Sequence, residues 1–237
     1  MCFGELMDFN AYDVIGLTAF VAGWLGYVWI ADRRFQHLSI AARMDEVRRD
    51  WITTMATRDV RIFDSQIQSA LMQGVGFLAS TAVLMIGAMT AMLGYGSEVT
   101  FTLSAAAYVP ESAGVDWRFK VVLVAGVFAF AFFKLMWSYR LFNYCAVLMG
   151  AMPEGDDPSQ STRIEQLAQL HMLAAEHFNN GLRGYFFALA CFLWLLHPIG
   201  LFIGTLWVLY VLWRRDFASR SLAIVATRFQ PSDVESE

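Results

Sequence analysis

The sequence predicts an all-α fold: a polytopic helical membrane protein with amphipathic helices between its spans. Of its 237 residues, 57% are hydrophobic and 16% are charged, whereas an average soluble domain is about 45–50% apolar and about 25% charged. The charges are also grouped, and none lies between Ser65 and Ser97 or between Gly184 and Trp213. Because a helix needs about 20 apolar residues to cross a bilayer core about 30 Å thick, these runs are long enough to span it. We therefore expect a single membrane domain over residues 1–228 and a short polar tail over residues 229–237.

Four apolar segments are the predicted spans, and two charged amphipathic segments separate them. The spans cover residues 12–31, 68–95, 119–149 and 184–213, and the amphipathic helices cover residues 33–64 and 161–183. In the first amphipathic segment Ile40, Met44, Val47 and Trp51 recur at helical spacing, which predicts a helix or a helix pair. The charges of both segments place them outside the bilayer, as a helical cytoplasmic layer joined by pairs of arginine and acidic residues.

The last apolar block is interrupted by the sequence His-Pro-Ile-Gly at His197–Gly200. Proline disfavours helical conformation at the residue before it, so the block forms either a helical hairpin that turns at His197 or one kinked fourth span. A hairpin returns Arg214 and Arg215 to the side of the first amphipathic segment, and the positive-inside rule favours that arrangement. The predicted architecture is therefore three full spans plus a C-terminal hairpin, with the kinked span as the alternative.

The orientation follows from the arginines. The segment from Asp32 to Asp64 contains seven of them, so it is expected in the cytoplasm. The N-terminus, with Glu5, Asp8 and Asp13, is then outside, and the C-terminus is cytoplasmic. The first basic residue is Arg33, so the sequence before the first span lacks the positive region of a cleavable signal peptide.

A stripe of small and polar residues follows the second span in alternating steps of three and four. Its members are Gln66, Ser69, Gln73, Gly76, Ser80, Val83, Gly87, Thr90 and Gly94. These steps average about 3.5 residues, the period of helices packed in left-handed coiled coils, and helices in lipid associate through small residues and side-chain hydrogen bonds. The stripe predicts a packing seam, within the protomer or between protomers. The alternative is a pore lining in an oligomer, with Gln66, Ser69, Gln73 and Ser80 facing water.

Two cations lie within the third span. Lys134 follows thirteen uncharged residues, and Arg140 comes six positions later. On a helix Trp137, Arg140 and Tyr144 share one side, and Lys134 lies on another. Because ionisable side chains in a membrane segment indicate a functional site, these four residues are candidates for binding an anion or a lipid headgroup, or for lining an anion path. In the alternative the two cations only extend to the headgroups and have no ligand.

No pattern of a metal, cofactor or catalytic site is found. His171 and His177 are six residues apart, whereas a metal-binding pair on a helix is four apart. There is no nucleophile elbow, no P-loop, no dinucleotide-binding set of glycines and no basic patch for nucleic acid. We expect no metal, no cofactor and no nucleic-acid partner, and we expect that the protein is not an enzyme. A membrane enzyme acting at Glu176 and His177 is the third function class left open.

Five phrases of the sequence carry a family resemblance. They are "RRDWITTMATRDVRIFDSQI", "FLASTAVLMIGAMTAMLG", "FFKLMWSYRLFNYCAVLMGA", "HFNNGLRGYFFALACFLWLLHP" and "WRRDFASR". Over most of its length the chain resembles an uncharacterised family of bacterial and plant membrane proteins, the domain of unknown function five-nine-nine. The resemblance implies an integral protein of the bacterial cytoplasmic (inner) membrane. It implies no activity and supplies no catalytic residues.

The sequence leaves two main function classes open. The first is a non-catalytic inner-membrane protein, either a homo-oligomer or an accessory or scaffold subunit of a larger membrane complex, that packs against partner helices and membrane lipids. The second is a homo-oligomeric channel with a pore along the second span and a cationic cytoplasmic mouth.

Overall fold

The computed structural model describes residues 11–31, 39–94, 117–153 and 157–228, and all regular secondary structure in these ranges is helical. The helices are α1 (Ala11–Trp29), α2 (Ile40–Ala56), α3 (Ile62–Gly94), α4 (Trp117–Gly150), α5 (Gln160–Leu196), α6 (Pro198–Phe217) and α7 (Arg220–Arg228). By length and composition α1, α3 and α4 can cross a membrane. The all-α class is confirmed, together with three helices suited to spanning. The N-terminal acids Glu5 and Asp8, the predicted helix start at residue 33 and the polar tail lie outside the described residues.

Two helices share the predicted amphipathic segment of residues 33–64. Helix α2 ends at Ala56, and α3 begins at Ile62 and continues as the second predicted span. The guanidinium of Arg61 fixes the turn between them, because it donates hydrogen bonds to the carbonyl oxygens of Met152 and Pro153 at 2.9 and 3.2 Å. Asp64 lies in the first turn of α3, where the helix dipole favours a carboxylate.

Helix α5 continues unbroken from Gln160 to Leu196, across residues 183 and 184, where the predicted amphipathic helix meets the predicted last span. The helix ends at His197, which has extended backbone angles and whose ring Nδ1 accepts a hydrogen bond from the backbone N–H of Ile199 at 3.2 Å. Helix α6 starts at Pro198 and returns along α5, so that Gly200 faces Leu193 and Gly204 faces Ala190. The last apolar block is thus an antiparallel helical hairpin in the described structure.

Three apolar clusters make up the interior of the described residues. The largest contains Phe20, Phe128, Phe187, Trp194 and Leu201, contributed by α1, α4, α5 and α6. Another lies where α3, α4 and α5 pack together.

The remaining cluster surrounds α2, where Ile52 and Met55 pack on α4 and α5. Helices α3, α4 and α5 have 33, 34 and 37 residues, which corresponds to about 50–55 Å. Each is longer than a bilayer core is thick. We call the region that α2 forms with the adjoining ends of these three helices the α2 layer.

Polar bonds join the helices of the α2 layer. Arg49 of α2 pairs with Glu165 of α5. The fully buried carboxylate of Asp64 accepts hydrogen bonds from the Trp51 indole at 2.7 Å and from Arg58 at 2.6 Å. The first pair joins helices that are distant in sequence, whereas the second neutralises Asp64 within a short stretch of the chain.

We expect the stability of the α2 layer to fall at acidic pH because of His171. Its ring is 1% exposed and lies 5.4 Å from the Trp51 ring and 5.0 Å from the Phe142 ring, between centroids. Neither ring nitrogen has a hydrogen-bond partner among the described residues. Burial, together with the positive charge of Arg48, lowers the pKa of His171 from 6.5 to about 4.

The unfolded chain therefore binds a proton that the folded chain excludes. The contribution to stability is complete above about pH 6.5 and is lost as the pH falls toward 4, with about 2 kcal/mol lost at about pH 5. Equilibrium unfolding of the wild type and of His171→Leu, each at both ends of this range, measures the effect. The variant should lose this part of the pH dependence, and an equal dependence in both proteins would contradict the assignment.

Candidate functional site

The stripe on α3 lies outside the intramolecular seam. The residues of α3 that are buried against the rest of the protein in the apolar region are Val75, Ala79, Ala82 and Met89, also in steps of three and four, with one omitted turn. Each lies one position before a stripe residue, so the intramolecular seam runs beside the stripe with the same period. The stripe itself is exposed at Gln66, Ser69, Gln73, Ser80, Val83, Gly87, Thr90 and Gly94, and half-buried at Gly76.

The glutamine that joins α3 to α4 is one that the stripe does not contain. Gln68 is 2% exposed, and its side-chain N–H donates a 2.7 Å hydrogen bond to the backbone oxygen of Phe142. By contrast, a Cβ added at Gly87 or Gly94 would meet no atom within 4 Å, and at Gly76 it would meet only the Tyr139 ring, at 3.6 Å. The open side of α3 therefore has room for a neighbouring helix or lipid chain.

Three of the four predicted anion-binding residues come together on α4. The Nε of Arg140 donates a hydrogen bond to the Tyr144 hydroxyl at 2.6 Å. The guanidinium carbon lies 5.6 Å from the centroid of the Tyr144 ring and 6.0 Å from that of the Trp137 ring. All three side chains are exposed. We call this group the Arg140 cluster.

Lys134 does not join the cluster. It is half-buried, with its ammonium 5.7 Å from the centroid of the Phe130 ring, and it lies about 120° around α4 from Arg140. Burial and then the positive charge of Lys134 lower the pKa of His177 of α5. No hydrogen bond is found between His177 and Glu176 in the described structure. Within those same residues, no group of three or more histidine, cysteine, aspartate or glutamate side chains could hold a metal ion.

A buried ion pair at the end of the bundle remote from the α2 layer was not predicted. Asp13 of α1 is fully buried and accepts a 2.7 Å hydrogen bond from the Trp194 indole of α5. The ammonium of Lys120, from α4, lies 3.8 Å from the same carboxylate oxygen and 5.3 Å from the centroid of the Trp194 ring. One charged group thus connects three helices.

A second buried group lies at the α2-layer end of the bundle and joins α1, α5 and α6. Asp216 of α6 accepts a 2.6 Å hydrogen bond from the Tyr27 hydroxyl of α1. Arg183 of α5 lies 3.6 Å from the same carboxylate oxygen, and Arg215 donates to the other oxygen at 2.8 Å. Arg183 and Asp216 expose only 9% and 8% of their side chains. Asp13 and Asp216 are isolated carboxylates at the ends of apolar runs. That position was the sequence signal that could have identified the two buried groups.

A family model described as "Protein of unknown function, DUF599" matches residues 15–221. Comparisons with curated proteins and with solved structures gave no match. The match of the family model confirms the family resemblance of the sequence phrases.

Proposed function

Since the chain belongs to the DUF599 family of proteins of unknown function, we propose a role from its geometry: a non-catalytic helical membrane subunit that assembles with a second copy through the exposed side of α3. The observation that carries the proposal is the position of the stripe, which flanks the buried seam and is open along its length. Closed homodimers are the commonest oligomers, and they use the same patch on both subunits.

The depth of α3 in a bilayer divides the stripe into two parts. If Gly94 is at one surface, about 20 residues reach the other near Val75. Gly76, Ser80, Val83, Gly87 and Thr90 then lie in the hydrocarbon core, and Gln66, Ser69 and Gln73 lie beyond it. The part in lipid contains small side chains, which allow close approach of a second helix backbone.

The proposed orientation places the α2 layer in the cytoplasm of a bacterial inner membrane. It rests on the arginines of residues 43–61, which include Arg43, Arg48 and Arg49, and on Arg214 and Arg215. Helices α1, α3 and α4 cross the membrane, and the α5–α6 hairpin enters it from the same side. The N-terminus is then outside and the C-terminus is cytoplasmic.

We expect Gly87→Leu to weaken self-association by at least about tenfold, which corresponds to about 1.4 kcal/mol. The leucine would occupy the space through which the second helix approaches, and its Cβ would meet no atom of its own protomer within 4 Å. The matched control is Gly74→Leu, since Gly74 is also exposed on α3, also has no atom within 4 Å of an added Cβ, and does not belong to the stripe. Native mass spectrometry of protein gently extracted from its own membrane measures the masses of all three proteins.

A homo-oligomeric mass that is lost in Gly87→Leu and kept in Gly74→Leu supports the proposal. A clean monomer of the wild type rejects it. A mass that includes another polypeptide would indicate an accessory subunit of a larger complex and would reject self-assembly. If a homo-oligomer conducts ions in a planar bilayer and Gln73→Leu with Ser80→Leu abolishes conduction, the stripe lines a pore instead.

A further inference from the structure

The Arg140 cluster adjoins an apolar groove between α3 and α4. A hollow of about 520 Å³ beside the cluster includes Met136, Tyr139 and Asn143 in its wall. A second hollow, of about 610 Å³, is lined by Gly76, Ser80 and Val83 of α3 and by Phe132, Met136 and Tyr139 of α4. Met136 and Tyr139 line both hollows, so the two adjoin; we refer to them together as the depression, which has Arg140 at one end and only apolar and small residues at the other.

The polar end presents hydrogen-bond donors. The Nε of Arg140 donates its hydrogen bond to the Tyr144 hydroxyl. No described residue accepts a hydrogen bond from Nη1 or Nη2 or forms an ion pair with this guanidinium. The Trp137 and Tyr144 rings flank it and restrict its position. A guanidinium presents such donors in the planar arrangement that binds phosphate oxygens in pairs.

The depth of the cluster fits a lipid headgroup. Arg140 is 23 residues after Trp117, the first residue of α4, so the helix rises about 35 Å between them. With Trp117 at one membrane surface and a hydrocarbon core about 30 Å thick, Arg140 lies at the headgroups of the opposite leaflet. Trp137 and Tyr144 are then at interface depth, where these two residue types are enriched. The apolar groove extends from this point into the hydrocarbon core.

We propose that this depression binds one anionic phospholipid, with its phosphate on Arg140 and an acyl chain in the groove between α3 and α4. Charge complementarity determines the headgroup class, because the exposed charge at the groove mouth is a cation without a carboxylate partner in the described residues. The groove uses the stripe residues Gly76, Ser80 and Val83, so with the lipid bound a second copy contacts α3 at Gly87, Thr90 and Gly94. The lipid site itself requires no contact from a second copy.

The test is lipid titration followed by native mass spectrometry, with delipidated protein in detergent. The probes are phosphatidylglycerol, phosphatidylcholine with the same acyl chains, and glycerol phosphate as the headgroup without chains. The wild type should prefer phosphatidylglycerol to phosphatidylcholine by at least about tenfold, because both headgroups carry the phosphate but only phosphatidylcholine adds a cation, which Arg140 repels. Arg140→Gln should abolish this preference, whereas Arg214→Gln, at an exposed arginine near the end of α6, should keep it.

A second variant tests the groove. Ser80→Leu adds a larger side chain at an exposed groove position, so it should weaken both phospholipids severalfold and keep the preference for the anionic one. An unchanged preference in Arg140→Gln would overturn the proposal. Equal binding of glycerol phosphate and phosphatidylglycerol would identify a site for a free anion and overturn the lipid assignment. A changed oligomeric mass of Ser80→Leu with unchanged lipid affinity would place a second copy in the groove, which also overturns it.

Discussion

Asp216→Ala is expected to lower the free energy of unfolding by about 3–5 kcal/mol, the effect of removing one partner from a buried ion pair. The variant leaves Arg183, whose side chain is 9% exposed, without its carboxylate partner. It also removes the acceptor of the Tyr27 hydroxyl, and thus a contact of α6 with α1. Equilibrium unfolding in mixed micelles measures the change.

A double variant identifies the cause. Asp216→Ala combined with Arg183→Met removes both charges, and buried pairs replaced by apolar side chains often give neutral or stabilised proteins. We therefore expect the double variant to be more stable than Asp216→Ala alone. Asp59→Ala, at an exposed carboxylate, is the control and should change stability by less than about 0.5 kcal/mol. Equal losses in the single and double variants would show that the buried charge is not the cause.

Gly200→Ala is expected to destabilise the α5–α6 hairpin by about 3 kcal/mol, at the upper end of the usual cost of overpacking. A Cβ at this position would overlap the backbone oxygen of Leu193 and lie 2.7 Å from its carbonyl carbon. Because both are backbone atoms, a side-chain rotation cannot relieve the clash, and the two helices must separate near His197.

Gly126→Ala is the control for this variant. Gly126 is an exposed residue of α4, and no atom lies within 4 Å of an added Cβ. Alanine there should leave stability unchanged or raise it by up to about 1 kcal/mol, because glycine is the poorer helix former. Thermal unfolding of both variants provides the comparison. Equal stability of Gly200→Ala and the wild type would contradict the close contact between α5 and α6.

The hydrophobic pattern indicated the helices but not all of their ends. Uncharged runs are long enough that no alternative to a helix satisfies the backbone in lipid, so α1, α3 and α4 were predictable. Proline likewise predicted the break at His197. The continuity of α5 across residues 183 and 184 was not predictable, because a charge usually marks the end of an apolar run. In the structure Arg183 lies inside the protein, where Asp216 compensates its charge.

The candidate site was predictable in part. The spacing of Trp137, Arg140 and Tyr144 on one helix places them together, and the structure has them in contact. The phase of the α3 seam was not predictable, because Val75, Ala79 and Ala82 are short apolar residues and the adjacent stripe also contains short and apolar residues. Which of two adjacent rows is buried depends on the shape of α4, and a sequence pattern in α3 contains no information about that shape.

The sequence by itself determined the all-α class, the three helices long and apolar enough to span a membrane, the break at His197 and the period of α3, because each depends on residues close together in the chain. Only the tertiary structure decided which carboxylates pair with which cations. Trp194 and Asp13 are 181 positions apart, and Tyr27 and Asp216 are 189 positions apart. Their contacts exist only after the helices have packed, since burial is what makes an unpaired charge costly enough to select its partner.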